Sequence, residues 1–465
     1  MSLEQYHDLS KKNINKLIYN FGTIKTPFTR SKLTYADYTA SGLPSPFVES
    51  YLQTKIYPYY SNTHSNAHNG MYMKQLIEDV KTLMRTEMNL SSEYQILFTG
   101  CGATGAANHL VNSIDYDKYK NVYIYLSLYE HYSNYLPWAE LSKQKNNIEL
   151  KIIPFVSNTN GSGIINIGWL EESINDIYVK NSKNTKNTLI ICSISACSNI
   201  NGMINPLNEI RQTLNKFSNN KIDKLFFADF AASAPYVKID GSILDAFFFS
   251  PHKFIGSQST PGVLIGKKNL FTKQKPFCTG GGCVIKASSK QIIYNPDIET
   301  KESAGTPNIL GIIRFGKALE VKKAFENVIK TNEHILSDYI KFKIMYFSQK
   351  YANFKSILYN DNIDHLPIFS FHLTNLHYNM IVVLLNDLFG IQTRGGIGCC
   401  GLLAEHIENK YKYKGWCRVT FHWIMNKKVI ENIFNAIEFV IKNGHKYVKY
   451  YDYDKSDNVF IFKKK

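Results

Sequence analysis

An α/β architecture, with a mostly parallel buried sheet and a smaller second domain, is what the sequence predicts, on two observations. From about residue 94 short apolar runs alternate with helix-length segments. Informative polar residues fall where those runs stop, which is where ligands gather in sheets of this kind.

In order, the runs are YQILF (94–98), NVYIYLS (121–127), LKIIPFV (150–156), TLIICSIS (188–195), KLFFADF (224–230), DAFFFS (245–250) and PGVLIG (261–266). Their length and near-continuous apolarity fit strands buried on both faces. Thr104 follows the first run, His131 the second and Asn199 the fourth. Asp229 ends KLFFAD, and His252 with Lys253 follow DAFFFS. Five strands thus point at one site. From about residue 311 the texture changes to one long amphipathic helix (312–336), a strand LPIFSFHL (366–373), a helix closed by Gly390, and a final strand and helix. The expected division is an N-terminal arm over 1–34, a large domain over 35–310 and a small C-terminal domain over 311–465.

The chain has 465 residues, 44% hydrophobic and 20% charged, which suits a globular protein, and no apolar run reaches the roughly 20 residues of a membrane span. The amino end carries Glu4 and Asp8 and lacks the pattern of a secretory or organelle signal, so a cytoplasmic address is expected. Eight cysteines are scattered without a CxxC pair or a zinc-type spacing, so reduced thiols and no metal site are expected. A net charge of +16 raises the question of a polyanionic partner. Lysine is spread throughout beside Asn, Ile and Tyr, no nucleic-acid-binding signature accompanies it, and no nucleic-acid role is expected.

Lys253, in SPHKFIG (250–256), stands directly after a buried run. An amine in a desolvated pocket has a lowered pKa and can form a Schiff base with an aldehyde cofactor. Asp229 sits one strand away among small residues that let a flat ring approach. FTGCGATGAANHL (98–110) is a strand, a glycine turn and a helix start, whose free N–H groups suit a phosphate, with the Thr104 hydroxyl beside them. Taken singly, each has a plain alternative: a solvated loop lysine, a capping aspartate, an ordinary turn.

Together these segments resemble the class V aminotransferase family of fold-type I pyridoxal-phosphate (PLP) enzymes, in particular its cysteine desulfurase and selenocysteine lyase branch. The resemblance runs over roughly residues 35 to 425. It is carried in family order by YADYTASG (35–42), NTHSNAHNG (62–70), FTGCGATGAAN (98–108), YEHYSNYLPW (129–138), SACSNINGMINPL (195–207), ADFAASAP (228–235), SPHKFIG (250–256), GGG (280–282), SAGTPN (303–308), RGGIGCCG (394–401) and WCRVTFH (416–422). By matching position, Lys253 would carry PLP, His131 would stack on its ring, Asp229 would pair with the pyridine nitrogen and Asn199 would bond the phenolic oxygen. Ala103, Thr104, Ser250 and His252 would hold the phosphate. Thr306 occupies the place of a threonine that the family supplies from the other subunit, so a homodimer is implied. Arg418 matches the arginine that grips the substrate carboxylate, Arg394 a second active-site arginine, and His64 a further substrate-binding position.

In the desulfurase branch a mobile-loop cysteine lies five residues after the loop's arginine, the place of Cys399 relative to Arg394. The glycines at 395, 396, 398 and 401 suit a loop that swings. The resemblance therefore implies conversion of L-cysteine to L-alanine with a persulfide on Cys399, and a sulfur-acceptor protein as a further partner. The chain departs from the pattern at Cys400, a second adjacent thiol, and at Ala232, where many desulfurases carry glutamine. The rival readings are another class V reaction (transamination, epimerisation or selenocysteine cleavage) and a non-catalytic basic binding or scaffold protein on the same fold.

Overall fold

The computed structural model describes residues 3, 5–7, 17–156, 163–181, 187–217, 222–360 and 362–463. Most of residues 1–16 of the expected arm lie outside the described residues. Seven strands form the main sheet: β1 (Tyr94–Thr99), β2 (Asn121–Ser127), β3 (Ile148–Ile153), β4 (Thr188–Ser195), β5 (Ile222–Asp229), β6 (Ala246–Phe249) and β7 (Gly262–Lys267). Their order across the sheet is β1-β7-β6-β5-β4-β2-β3. The pairs β2/β3, β2/β4, β4/β5 and β5/β6 are parallel, and only β7 runs antiparallel to its two neighbours. Every residue of the interior strand β4 is buried, so its unbroken TLIICSIS run reflects cover on both faces.

Because the parallel strands share a direction, their carboxyl ends open at one edge, where the loops after β2, β4, β5 and β6 meet. Two helices start there, α1 (Gly102–Ser113) and α2 (Tyr132–Gln144). The expected long amphipathic helix is two helices, α3 (Ile309–Ala324) and α4 (Glu326–Lys350), interrupted at Phe325. Phe325 has left helical geometry at φ −107°, ψ 11°, and its ring stacks on Trp423 at 5.6 Å between centroids. Tertiary packing interrupts a periodicity that is continuous in sequence.

A second, four-stranded antiparallel sheet contains β8 (Phe354–Ser356), β9 (Ile368–Leu373), β10 (Arg394–Gly396) and β11 (Trp416–Thr420), in the order β8-β9-β11-β10. Helices α5 (Tyr378–Phe389), α6 (Gly401–Tyr411) and α7 (Lys427–Asn443) accompany it. Gly390 closes α5 in the left-handed region at φ +71°, where a side chain would strain the backbone and a Cβ would stand 2.8 Å from the Lys32 carbonyl. The expected swinging glycine loop is shorter than its glycines suggest. Its first three residues form β10, with Arg394 opposite Arg418, and Gly401 already belongs to α6, leaving Ile397–Cys400 between them.

The early residues pack against this second sheet. Thr34 and Tyr35 pair in parallel with Ile391 and Gln392, and the Tyr6 hydroxyl donates to the carbonyls of Trp423 and Met425 at 2.9 and 2.8 Å. Ala36 and Tyr38 are buried in the same apolar cluster as Phe369, Phe421 and Ile433. The chain thereby returns its amino-terminal segment to the edge of the site.

Candidate active site

A cavity of about 810 Å³ opens at the carboxyl edge of the main sheet. It brings together Lys253, Asp229, His131, Asn199, Ser250 and His252, and with them Ala103, Thr104, Thr306, Arg394 and Arg418. Two expected residues are absent from its lining. Cys399 lies on the adjoining surface, lining a second cavity of about 450 Å³ that shares Thr104, His131 and Ser133 with the first. His64 is exposed and sits against Gly282, where an added Cβ would be 3.0 Å from its ring.

Lys253 emerges from a short helical turn after β6. Burial draws its amine down to about 8; Asp229 opposes that shift and Arg418 adds to it. Among the described residues its Nζ has no hydrogen-bond or ion-pair partner, and the lowered pKa gives it a larger neutral, reactive fraction near neutral pH than an ordinary lysine has. Asp229 ends β5, is 4% exposed, and accepts from the Ala231 N–H at 2.7 Å. Burial raises it to about 7 against the pull of that N–H and of Lys253. A cationic ring nitrogen next to it would restore the carboxylate.

His131 caps α2, its Nδ1 accepting from the Ser133 N–H at 3.1 Å, which places the ring proton on Nε2. Burial, reinforced by Lys253, holds the ring near 4, so it is a neutral planar surface. Ser133 Oγ bridges His131 Nδ1 at 2.9 Å and Thr104 Oγ1 at 2.6 Å. His252 is likewise held near 4 by burial and Lys253, with Ser41 Oγ 3.3 Å from its Nδ1.

The start of α1 and the end of β6 form a candidate anion cradle. Ser250 Oγ accepts from the Ala103 N–H at 2.8 Å. Gly102 holds φ +56°, and a Cβ there would lie 2.7 Å from Ser250 Oγ. Helix-start N–H groups, two hydroxyls and a left-handed glycine together suit a phosphate.

Arg418, on β11, is 4% exposed. Its Nη1 donates to the Asn199 carbonyl at 3.0 Å, its Nη2 to Asp37 Oδ1 at 2.7 Å, and its buried Nε has no partner among the described residues. Asp37 is a site residue that sequence reasoning missed, although it stands in the quoted YADYTASG motif. Ser133, in YEHYSNY, and Glu130 were missed too. Glu130 is fully buried and accepts from Ser195 N and Oγ, from Ser127 and from the Asn134 amide at 2.6 Å, locking the ends of β2 and β4 beside His131. A carboxylate that buried needs such donors. That requirement leaves no mark in a single sequence.

The two loop cysteines differ sharply. Cys399 is exposed, with φ +57°, and its carbonyl accepts from the Tyr132 N–H at 2.8 Å. Cys400 is 0% exposed, and burial pushes its thiol well above the usual range.

Comparison with known proteins supplies the family. A family model described as aminotransferase class-V matches residues 34–433. A cysteine desulfurase of Wigglesworthia glossinidia brevipalpis is 30% identical over 433 residues, covering 91% of this chain and 96% of that protein. A probable cysteine desulfurase of Borreliella burgdorferi is 29% identical over 450 residues, covering 93% and 98%. The apo structure of a cysteine desulfurase from Thermococcus onnurineus NA1 superimposes with a TM-score of 0.74 at 20% identity, over 88% of this chain and 95% of that one, a likeness of fold. A match spanning both sheets and every segment that builds the cavity makes this chain a member of the class V aminotransferase family.

Proposed function

We propose that the protein is a PLP-dependent cysteine desulfurase, converting L-cysteine to L-alanine and taking the sulfur onto Cys399. The observation that carries this reading is the convergence of Lys253, Asp229, His131 and Arg418 in one cavity, with the exposed Cys399 lining the adjoining cavity that shares Thr104, His131 and Ser133. The named relatives are consistent with it.

The residues fit PLP on their own geometry. The cradle of Ala103, Thr104, Ser250 and His252 suits its phosphate, the neutral His131 ring its face and buried Asp229 its ring nitrogen. When bound, PLP supplies an electron sink for the charge released at the substrate's Cα. Lys253, with its lowered pKa, would carry the cofactor and then hold or move the Cα proton. Arg418 would present Nε to the substrate carboxylate, with Asp37 and the Asn199 carbonyl fixing its plane. Arg394 and His64 would bind substrate from the exposed side of the site. As thiolate, Cys399 would attack the substrate sulfur: the S–S bond forms as the Cβ–S bond breaks, and the electron pair stays on carbon to be protonated to alanine.

The same reading assigns an arm over 1–34, a large domain over 35–310 and a small one over 311–465. It also assigns a homodimer completed through Thr306. In support, Thr306 is exposed beside the cavity and bonded by the Asn62 amide at 3.1 Å, and Ile285 and Ile292 on the hairpin near Cys283 are exposed. The second cavity next to Cys399, flanked by α1 and α2, would receive a sulfur-acceptor protein. A cytoplasmic setting suits eight free cysteines, and no helix of the described residues is long and apolar enough to cross a membrane.

The test is the absorbance of purified wild type and Lys253→Ala with PLP, followed by alanine and sulfide assays with L-cysteine and a reductant. A visible band lost in Lys253→Ala, with both products formed by wild type, is expected. A band without those products would overturn the substrate, and no band would overturn the cofactor.

A further inference from the structure

Asn199 is tied at both ends of its side-chain amide to the loop that carries Cys399. Its Nδ2 donates to the Gly398 carbonyl at 2.8 Å, and its Oδ1 accepts from the Cys400 thiol at 2.8 Å. Its own carbonyl is held by Arg418 Nη1 at 3.0 Å, so backbone and side chain are both anchored.

The two side-chain bonds decide which way the amide faces. Turned over, it would set its oxygen against the Gly398 carbonyl and its N–H groups against a thiol that is only a weak acceptor. In the observed sense Nδ2 keeps a second hydrogen, beyond the one given to Gly398, on a residue that lines the main cavity. Cys400 suits the task of a permanent donor. It is sealed from solvent, its raised thiol keeps its proton across the neutral range, and its only other acceptor among the described residues is the Tyr129 carbonyl at 3.7 Å. A second reactive thiol beside Cys399 would have to be exposed and partly ionised, and Cys400 is neither.

We propose that Cys400 is a positioning residue: its S–H holds the Asn199 amide with an N–H towards the phenolic oxygen of the bound cofactor and couples the Cys399 loop to the cofactor cavity. This rests on the PLP reading above. The departure from the family pattern at position 400 then has a use other than sulfur chemistry.

The experiment is a pH titration of the visible absorbance of the PLP-loaded full chain, in wild type, Asn199→Ala, Cys400→Ala, Cys400→Ser and the double variant Asn199→Ala/Cys400→Ala. A donor on the phenolic oxygen stabilises its anion after the shared proton leaves, so losing that donor moves the absorbance midpoint to higher pH. Asn199→Ala is expected to raise the midpoint by about one pH unit, the worth of one neutral hydrogen bond. Cys400→Ala is expected to raise it by a fraction of that, Cys400→Ser to restore it, and Cys400→Ala to add nothing once Asn199 is gone. A midpoint unmoved by Cys400→Ala while Asn199→Ala moves it, or an equal shift with and without Asn199, overturns the inference and leaves the cofactor reading standing. A wild-type chain that forms no band with PLP overturns both.

Discussion

Replacing Gly102 by alanine tests the anion cradle where backbone and packing demand the same residue. At φ +56° an L-residue costs about 1–2 kcal/mol relative to glycine. The new Cβ would also stand 2.7 Å from Ser250 Oγ, closer than any real contact, so the hydroxyl must move and release the Ala103 N–H it accepts at 2.8 Å. A buried donor left unpaired costs about 1–3 kcal/mol more. Gly102→Ala should therefore lower stability by about 2–5 kcal/mol, read as the urea midpoint of cofactor-free protein, and should weaken PLP binding measured by absorbance titration. Ser250→Gly removes both the clash and the Ala103 acceptor, so Gly102→Ala added to it should cost only the backbone part, and the two changes should be non-additive. Gly281→Ala is the control, since a Cβ there meets nothing within 4 Å. A Gly102→Ala protein as stable as wild type, or strictly additive with Ser250→Gly, would refute the argument.

Three further outcomes follow from the same geometry. Asp229 holds its proton to about pH 7 in the fold and to about 4 when unfolded, so unfolding releases a proton between those values and the stability of cofactor-free protein falls as pH rises through that window. Asp229→Asn should remove that slope and be the more stable protein at pH 8 in urea titrations, and an unchanged slope would show that Asp229 ionises normally. Arg418→Lys keeps the charge but cannot serve Asn199, Asp37 and a substrate carboxylate together; kcat/KM for L-cysteine should fall about 100-fold, and a fall under threefold would count against Arg418 as the carboxylate site. Brief iodoacetamide treatment followed by mass spectrometry should label Cys399 and spare Cys400, and labelling of both at similar rates would contradict the buried placement.

The sheet and the floor of the site were legible because they are local. NVYIYLS and TLIICSIS are strands residue for residue, and DAFFFS differs only at its ends, since a buried strand writes itself as an unbroken apolar run. Lys253, Asp229, Asn199 and His131 could be placed together because strand ends in a parallel sheet share an edge. Phe325 was invisible, because the residue that interrupts the helix is as apolar as its neighbours and only Trp423 gives it a reason to turn. The Asp37–Arg418 pair was invisible for the opposite reason: nothing at position 37 announces a partner 381 residues away. Cys399 and Cys400 were told apart in sequence only by the family resemblance, because identical neighbours differ physically only in which one the turn exposes.

That distance between Asp37 and Arg418 also orders the birth of the site. Ala103, Thr104, Asp229 and Lys253 lie on the main sheet and on the turns and helix start that follow its strands, whereas the proposed carboxylate grip joins a segment synthesised early to one synthesised near the end, and the Asn199 amide too awaits Gly398 and Cys400. The proposed seat for a substrate carboxylate therefore closes only after the main sheet has been synthesised. Contacts of such long separation are slow to close. The Asp37–Arg418 pair is thus among the last contacts that the growing chain can make.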